Sequence, residues 1–145
     1  MKLTWKQYHA DILALADKIS EYNPDVIVPC MIGGLIPGAI IAKHLGISDV
    51  RPIDIERRGS ERHLVYDVQG ELRGKRVVIV EDDLPTGIGP KMVKELFERR
   101  GAEVKIAAIY VTPQSQEIVD YYVEMPEQPY DYPWKERHIG DRVRK

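Results

Sequence analysis

Two adjacent acids followed by a glycine-containing turn are the residues of this sequence best suited to chemistry. Glu81 and Asp82 come directly after the apolar run at residues 77–80, and Thr86 and Gly87 follow shortly afterwards. A turn that opens a helix leaves backbone N–H groups available, and with the helix dipole these groups bind phosphate. Carboxylates and phosphate are both negatively charged, so they do not lie in direct contact. We therefore expect Glu81 and Asp82 either to bond sugar hydroxyls or to hold a Mg²⁺ ion that also binds the phosphate. The turn therefore predicts a site for a phosphorylated ribose.

An acidic pair also has a simpler interpretation, which is a solvated strand end with a capping carboxylate. The flanking residues favour binding instead. The continuous β-branched run at residues 77–80 is typical of a strand covered on both faces, and Pro90 suits the first turn of a helix. Ligands of open α/β sheets bind beyond the carboxyl ends of such strands. Asp83 remains open, either as a solvated loop acid or as an acid that turns toward the site.

The elements that must position this turn follow from apolar periodicity. The predicted order is a helix at 5–22 with a Thr4–Gln7 capping box, a strand at 26–30, a helix at 35–45 capped by Gly46, strands at 50–55, 63–68 and 76–80, a helix from 90 capped by Gly101, and a strand at 104–111. This alternation predicts an α/β fold, namely a three-layer open sheet that is mostly parallel and has crossover helices.

Two segments lie outside this regular pattern. The charged residues 56–62 are typical either of a solvated turn or of a mobile active-site flap, and the sequence leaves both open. Residues 121–134 are rich in aromatics and prolines, which suits a small lobe over the sheet edge. We expect one domain over residues 1–145, with a hood at approximately 112–145.

Composition excludes several classes of protein. Lys+Arg total 21 against Asp+Glu 23, a net charge of -2, so no global positive field attracts nucleic acid or an anionic membrane. The single cysteine, Cys30, has apolar neighbours and predicts a buried thiol in a reducing, cytoplasmic compartment. No stretch is apolar enough over about 20 residues to span a bilayer. The four histidines lack metal-ligand spacing.

The sequence around the turn resembles a known motif. Residues 77–89 look like the PRPP-binding motif of type I phosphoribosyltransferases, which has four hydrophobic residues, two acids, two hydrophobic residues and then Asp-Thr-Gly-x-Thr. Residues 27–37 are similar to that family's pyrophosphate loop, and residues 56–62 fall where the family has its flap. Residues 121–124 and 132–134 resemble the purine-side hood of short hypoxanthine and xanthine-guanine enzymes.

This resemblance implies transfer of phosphoribosyl from PRPP to a purine with release of pyrophosphate, dependent on Mg²⁺, in a homodimer or homotetramer. It implies that Glu81 and Asp82 hold the metal and ribose hydroxyls, and that Asp82 and Asp83 serve catalysis. The remaining implied positions are the 5′-phosphate cradle of Thr86, Gly87, Ile88 and Gly89, the pyrophosphate loop of Gly33 and Gly34, and the base-side residues Thr112 and Trp134. Trp134 suits a buried core position equally well.

Four residues depart from the family pattern at positions of chemistry. Pro85 replaces the acid that serves purine enzymes as a base, and Ile32 replaces a cation that faces pyrophosphate. Gly89 replaces a hydroxyl donor, and Thr112 replaces a lysine that recognises the purine. These changes favour two alternatives, which are a catalytically silent regulatory protein that binds PRPP or a nucleotide, and a phosphoribosyltransferase for a different base.

Overall fold

The computed structural model describes residues 2–134, which form a parallel sheet with helices on both faces and a separate two-stranded hairpin. The helices are α1 (Trp5–Ser20), α2 (Leu35–Leu45) and α3 (Ile88–Arg99), and the strands are β1 (Val26–Pro29), β2 (Asp54–Arg58), β3 (Glu61–Tyr66), β4 (Arg76–Leu84), β5 (Glu103–Val111) and β6 (Tyr121–Glu124). The sheet order is β1-β4-β5-β6, with every neighbouring pair parallel. The predicted three-layer α/β fold is confirmed.

The central strand β4 is buried on both faces, which explains its continuous apolar sequence. Val77 and Ile79 belong to the core cluster that contains Phe97 of α3. Val78 and Val80 belong to the opposite cluster, to which α1 and α2 contribute Ile12, Leu15, Ile19 and Ile41. Since successive strand residues point to opposite faces, one run of sequence serves both layers. The site at the end of β4 therefore stands on a strand held from both sides.

The helix ends follow their predicted signals. The Thr4–Gln7 capping box is present, and Gly46 ends α2 in the left-handed conformation at φ 71°. The apolar stripe of α1 is buried from Tyr8 onward, but Trp5 is 55% exposed, so its predicted burial is wrong. Among residues 2–134, no helix has the length and apolar character needed to cross a membrane.

Strand boundaries between α2 and β4 differ from the prediction. In the predicted strand at 50–55, Val50 forms an isolated bridge to Ile27 of β1 and Ile53 forms one to Cys30, the residue after β1. Continuous strand structure begins at Asp54. The predicted strand at 63–68 is β3, which begins at Glu61. The physical reason is that residues 56–62 pair across a tight turn as the tip of a β-hairpin instead of forming a loop. Hairpin pairing gives charged, exposed strands that apolar periodicity does not detect.

A bidentate ion pair between Asp67 and Arg100 links the β3–β4 connection to the end of α3. The guanidinium of Arg100 donates hydrogen bonds of 3.0 and 2.6 Å to the carboxylate of Asp67. These hydrogen bonds hold the pKa of Asp67 below its ordinary value of 3.8. A lowered pKa stabilises the fold above the ordinary value, and this stabilisation is lost as the pH falls through the lowered one.

The variant Asp67→Asn is therefore expected to unfold at a slightly lower temperature at pH 7. Both side chains are 37% exposed, so solvent screening limits the effect to no more than about a few degrees. The difference should shrink below pH 3.8, where the wild-type carboxylate becomes protonated. Thermal unfolding followed by circular dichroism across this range measures it, and a constant difference at every pH would contradict the ion-pair explanation.

Candidate active site

Glu81, Asp82 and Asp83 are the last acids of β4, and the alternation of a strand directs neighbouring side chains to opposite sides. β4 continues to Leu84, so Glu81 and Asp83 point to one side while Asp82 points to the other. Glu81 and Asp83 line a cavity of about 180 Å³, referred to below as the first cavity, and Asp82 does not line it. Strand alternation thus places the side chains of Glu81 and Asp82 on opposite sides of the β4 backbone. That both acids hold one metal and one sugar stays a prediction.

Asp82 lies beneath the loop that follows β1. Its side chain is 5% exposed and accepts the backbone N–H of Asp83 at 2.7 Å. A Cβ atom added to Gly33 would lie 2.6 Å from the carboxylate oxygen of Asp82. Gly33 is therefore needed for the close approach of its loop to this buried acid. In this geometry Asp82 positions the loop that contains Gly33 and the backbone of Asp83.

Glu81 occupies a sheltered position in the first cavity beside Cys30. Burial raises the pKa of Glu81 well above its ordinary value of 4.5, and the negative charges of Asp82 and Asp83 raise it further. The thiol of Cys30 donates a hydrogen bond to Glu81, is 3% exposed, and has a pKa raised mainly by burial. A thiol with a raised pKa is a poor nucleophile, so Cys30 is a structural residue here.

These residues fit a hard cation that also binds substrate. A divalent cation beside Glu81 would offset the repulsion among the neighbouring acids, and Mg²⁺ prefers carboxylate oxygens. Within residues 2–134, no group of three or more His, Cys, Asp or Glu side chains is arranged around a metal position. Mg²⁺ usually retains waters and binds substrate oxygens in addition to one or two carboxylates. The remaining ligands would therefore come from water and substrate.

The turn that leads from β4 into α3 offers unsatisfied amides to the first cavity. Among the described residues, the backbone N–H groups of Thr86, Gly87 and Gly89 find no hydrogen-bond acceptor, and all three residues line the cavity. The hydroxyl of Thr86 accepts the N–H of Ile88 at 3.3 Å. Gly87 has φ 79°, and an added Cβ would approach Ile118 to 3.0 Å. This turn is thus suited to bind an anion at the start of a helix.

Two arginines of the hairpin line the opposite part of the first cavity. Arg57 and Arg62 are paired across β2 and β3 and both reach the cavity. Neither forms an ion pair within residues 2–134, whereas Arg58 binds Glu56 at 3.0 Å. From sequence alone this segment is either a turn or a flap, and no residue of it is predicted to belong to the site. The two-residue turn at Gly59 and Ser60 was the signal that could have placed both arginines side by side.

A second cavity, of about 210 Å³, adjoins the first at the end of the sheet. It is lined by Asp83, Leu84, Pro85, Tyr110, Val111, Thr112, Pro113, Pro126, Glu127, Pro129, Tyr130 and Tyr132. Asp83, Leu84 and Pro85 also line the first cavity, so the two spaces share one wall. The hydroxyl of Thr112 donates a 2.7 Å hydrogen bond to the carbonyl of Pro85, which fixes the two loops together.

Trp134 lies apart from both cavities. Its ring stacks on Tyr132 with centroids 5.4 Å apart and an interplanar angle of 29°, and it packs against the core cluster on the α1 face. Tyr110 and Tyr130 supply the aromatic wall of the second cavity instead, with ring centroids 4.8 Å apart.

Ile32, in the loop after β1, is 77% exposed and leaves that loop without a side-chain charge at this position.

Comparison with known proteins places this geometry in a family. The family model described as a phosphoribosyl transferase domain matches residues 4–142. This chain belongs to the phosphoribosyltransferase family. Xanthine-guanine phosphoribosyltransferase from Nitratidesulfovibrio vulgaris (strain DP4) is 31% identical to this phosphoribosyltransferase over 127 residues, which cover 83% of this chain and 74% of that protein.

Solved structures agree with this assignment. The purine phosphoribosyltransferase of Pyrococcus horikoshii Ot3 superposes with a TM-score of 0.87 at 38% identity, covering 96% of each chain. A hypothetical protein from Neisseria gonorrhoeae with bound ppGpp has a TM-score of 0.79 at 22% identity, covering 99% of this chain and 93% of that one, a likeness of fold.

In this phosphoribosyltransferase the loop after β1 rests directly on the end of β4. The N–H of Gly34 bonds the carbonyl of Cys30 at 2.8 Å, and the N–H of Cys30 bonds the carbonyl of Val80 at 3.0 Å. A Cβ on Gly34 would overlap the Val80 carbonyl oxygen and would lie 2.8 Å from both backbone N and O of Cys30. Gly34 has an ordinary helical conformation (φ -79°), so space alone requires glycine there.

The variant Gly34→Ala is expected to lose about 1–3 kcal/mol of unfolding free energy, because the added methyl group meets rigid backbone. Urea unfolding monitored by fluorescence measures the loss. Gly89→Ala is the matched control, since its added Cβ would meet only Ile55 at 3.7 Å and its φ is ordinary. Equal stability of the two variants would show that the loop does not need its close approach to β4.

Proposed function

We propose that this phosphoribosyltransferase transfers the phosphoribosyl group of PRPP to a purine base and releases pyrophosphate. The observation that supports this most is the shared wall at Asp83, where a cavity with open amides and arginines adjoins a cavity with aromatic walls. A sugar phosphate in the first and a base in the second would meet there. The names of the relatives from Nitratidesulfovibrio vulgaris and Pyrococcus horikoshii support a purine as the acceptor.

In the proposed reaction the bond between C1 of the ribose and the pyrophosphate oxygen breaks, and its electron pair leaves with pyrophosphate. A purine nitrogen forms the new bond to C1 and gives up its proton. The transition state resembles an oxocarbenium ion, as in other glycosyl transfers. The residue that accepts the proton must face both ligands, and Asp83 lines both cavities. Asp83 therefore takes the role that Pro85, which has no acidic group, leaves vacant.

The remaining residues bind and orient the sugar. The amides of Thr86, Gly87 and Gly89 hold the 5′-phosphate, and Glu81 orients the ribose hydroxyls from the floor of the first cavity. Glu81 would help to hold Mg²⁺, which would supply positive charge to stabilise the leaving pyrophosphate. Asp82 contributes by supporting the loop that contains Gly33.

The arginines of the hairpin supply the charge that Ile32 does not. Arg57 and Arg62 line the first cavity without an ionic partner among residues 2–134. Arg57 donates its Nε–H to the carbonyl of Gly59 at 3.1 Å, so its terminal nitrogens and the guanidinium of Arg62 are the groups proposed to bind the pyrophosphate of PRPP. Guanidinium is well suited to this task because it binds phosphate oxygens in a bidentate manner. This placement also favours the flap over the solvated turn as the role of the hairpin.

Truncation of either arginine, as Arg57→Ala or Arg62→Ala, is expected to raise the KM for PRPP about 10-fold, the equivalent of one charge-assisted hydrogen bond. The matched control is Arg58→Ala, because Arg58 is paired with Glu56 and does not line the cavity. Steady-state kinetics with PRPP varied at saturating purine give the values. An equal rise in all three variants would indicate a general effect of hairpin charge.

Release of pyrophosphate from PRPP and Mg²⁺ in the presence of adenine, guanine, hypoxanthine or xanthine tests the proposed function. Transfer requires release with at least one base and formation of the matching nucleoside monophosphate. Pro85 and Ile32 favour the alternative of a silent PRPP or nucleotide sensor. That alternative predicts calorimetric binding of PRPP or a nucleotide without release from any base, a combination that would rule out the enzyme.

A further inference from the structure

We propose that Thr112 is a positioning residue for the turn between β4 and α3, and that its hydroxyl group directs the N–H of Thr86 into the first cavity. This inference rests on the proposed binding of a 5′-phosphate by that turn. Thr112 lies in the connection between β5 and β6, on the side of the second cavity, and reaches the turn through the carbonyl of Pro85.

The hydroxyl of Thr112 is held in place by Ser115. The backbone N–H of Ser115 donates to Oγ1 of Thr112 at 3.2 Å, and the backbone N–H of Thr112 donates to Oγ of Ser115 at 3.0 Å. Ser115 is fully buried, so this pair has a fixed position at the start of the connection. The carbonyl of Pro85 can only accept, so Thr112 donates its proton to it, at a distance of 2.7 Å.

The carbonyl of Pro85 and the N–H of Thr86 belong to the same peptide unit. This unit is trans, so the two bonds lie in one plane and point in opposite directions. Thr112 lines the second cavity and not the first, whereas Thr86 lines the first cavity and not the second. A carbonyl that is fixed toward Thr112 therefore directs the N–H of Thr86 away from Thr112, on the side of the first cavity.

The orientation of this peptide unit decides whether the turn attracts or repels a phosphate. A rotated unit would present the carbonyl oxygen of Pro85 in place of the N–H of Thr86, and two acceptors cannot pair. The bond from Thr112 also strengthens the donor, because hydrogen-bonded peptide groups polarise one another. Ile118 of the same connection lies close to the next residue of the turn, since a Cβ added to Gly87 would approach it to 3.0 Å. The connection after β5 thus sets the conformation of the turn.

Three substitutions of Thr112 test this role. Thr112→Val and Thr112→Ala both remove the hydroxyl, the first with the branched shape kept, whereas Thr112→Ser retains the hydroxyl. We expect the Kd for ribose 5-phosphate, measured by calorimetry without a base, to rise about 3- to 10-fold in the first two variants, which is the worth of one neutral hydrogen bond. The KM for PRPP should rise in parallel and the KM for the purine should stay unchanged. Thr112→Ser should restore both PRPP-side values.

Gln116→Ala is the matched control, because it removes a hydrogen bond of the same connection away from the turn. Nε2 of Gln116 donates to the hydroxyl of Tyr122 at 2.7 Å, and Gln116 lines neither cavity. Its Kd for ribose 5-phosphate should equal that of the wild type, and a rise equal to that of Thr112→Val would overturn the specific role of Thr112.

The amide resonance of Thr86 reports the orientation of the peptide unit directly. Its ¹⁵N chemical shift in the ligand-free protein should change in Thr112→Val and return in Thr112→Ser, whereas a general loss of stability would not single out this amide. An unchanged Kd for ribose 5-phosphate in Thr112→Val and Thr112→Ala, or a rise in the KM for the purine alone, would overturn the positioning role and leave the proposed transfer intact. No binding of ribose 5-phosphate to the wild-type protein would overturn both.

Discussion

Replacing Asp83 with asparagine is expected to lower kcat by about 10²–10⁴-fold while the KM for PRPP changes little. General acid–base help is worth about this much, and an amide cannot accept the purine proton. An asparagine side chain has nearly the same shape as the side chain of Asp83, and the backbone N–H at this position still bonds Asp82, so the sugar site should persist. Steady-state kinetics at saturating PRPP and purine measure the effect.

A second substitution separates the loss of a base from a general disturbance. The double variant Asp83→Asn with Pro85→Asp restores a carboxylate to the shared wall two residues further along the chain, because Pro85 also lines both cavities. Partial recovery of kcat is expected. Wild-type kcat in the single variant Asp83→Asn would exclude Asp83 as the proton acceptor.

The variant Glu81→Gln is expected to lower kcat/KM for PRPP by about 100-fold and to remove most of the stimulation by Mg²⁺. Glu81 lines the first cavity, and each hydrogen bond from a ribose hydroxyl to a charged acceptor is worth about 1.5–3 kcal/mol. The amide keeps the size of the side chain but loses the charge that favours a cation. Initial rates over a range of Mg²⁺ concentrations provide the comparison.

Asp82→Asn is the matched control, because it removes the same charge one residue further along β4. Its side chain lies outside the first cavity, and the remaining amide oxygen can still accept the N–H of Asp83. We therefore expect a much smaller loss than in Glu81→Gln. An equal loss in the two variants would mean that Asp82 reaches the substrate, as the motif resemblance implies, and that the loop rearranges on binding.

The sheet was accessible from the sequence because its strands are apolar runs between clear helix signals. α2 was predicted at its observed bounds, and the capping pair of α1 was recognised from two residues. The hairpin and β6 were not predicted as such. Their residues are partly exposed, so pairing rather than burial creates these strands, and a single sequence contains little information on pairing.

The sequence located the segment that forms the site, but it did not predict the directions in which the side chains of that segment point. The turn residues Thr86 and Gly87 could be predicted to bind an anion because a strand, a glycine turn and a helix start follow one another. The opposite orientation of Glu81 and Asp82 depends on where β4 ends, and strand ends are the least predictable feature of a strand. The contribution of the hairpin depends on contacts distant in sequence, which no local motif describes.

Amide chemical shifts of the ¹⁵N-labelled protein during titration with ribose 5-phosphate measure most directly whether the turn after β4 binds a sugar phosphate. We predict that the largest shifts occur at Thr86, Gly87 and Gly89, whose N–H groups meet the cavity without an acceptor among the described residues. Saturable shifts confined to other parts of the chain, with these three amides unchanged, would contradict a phosphate site at this turn.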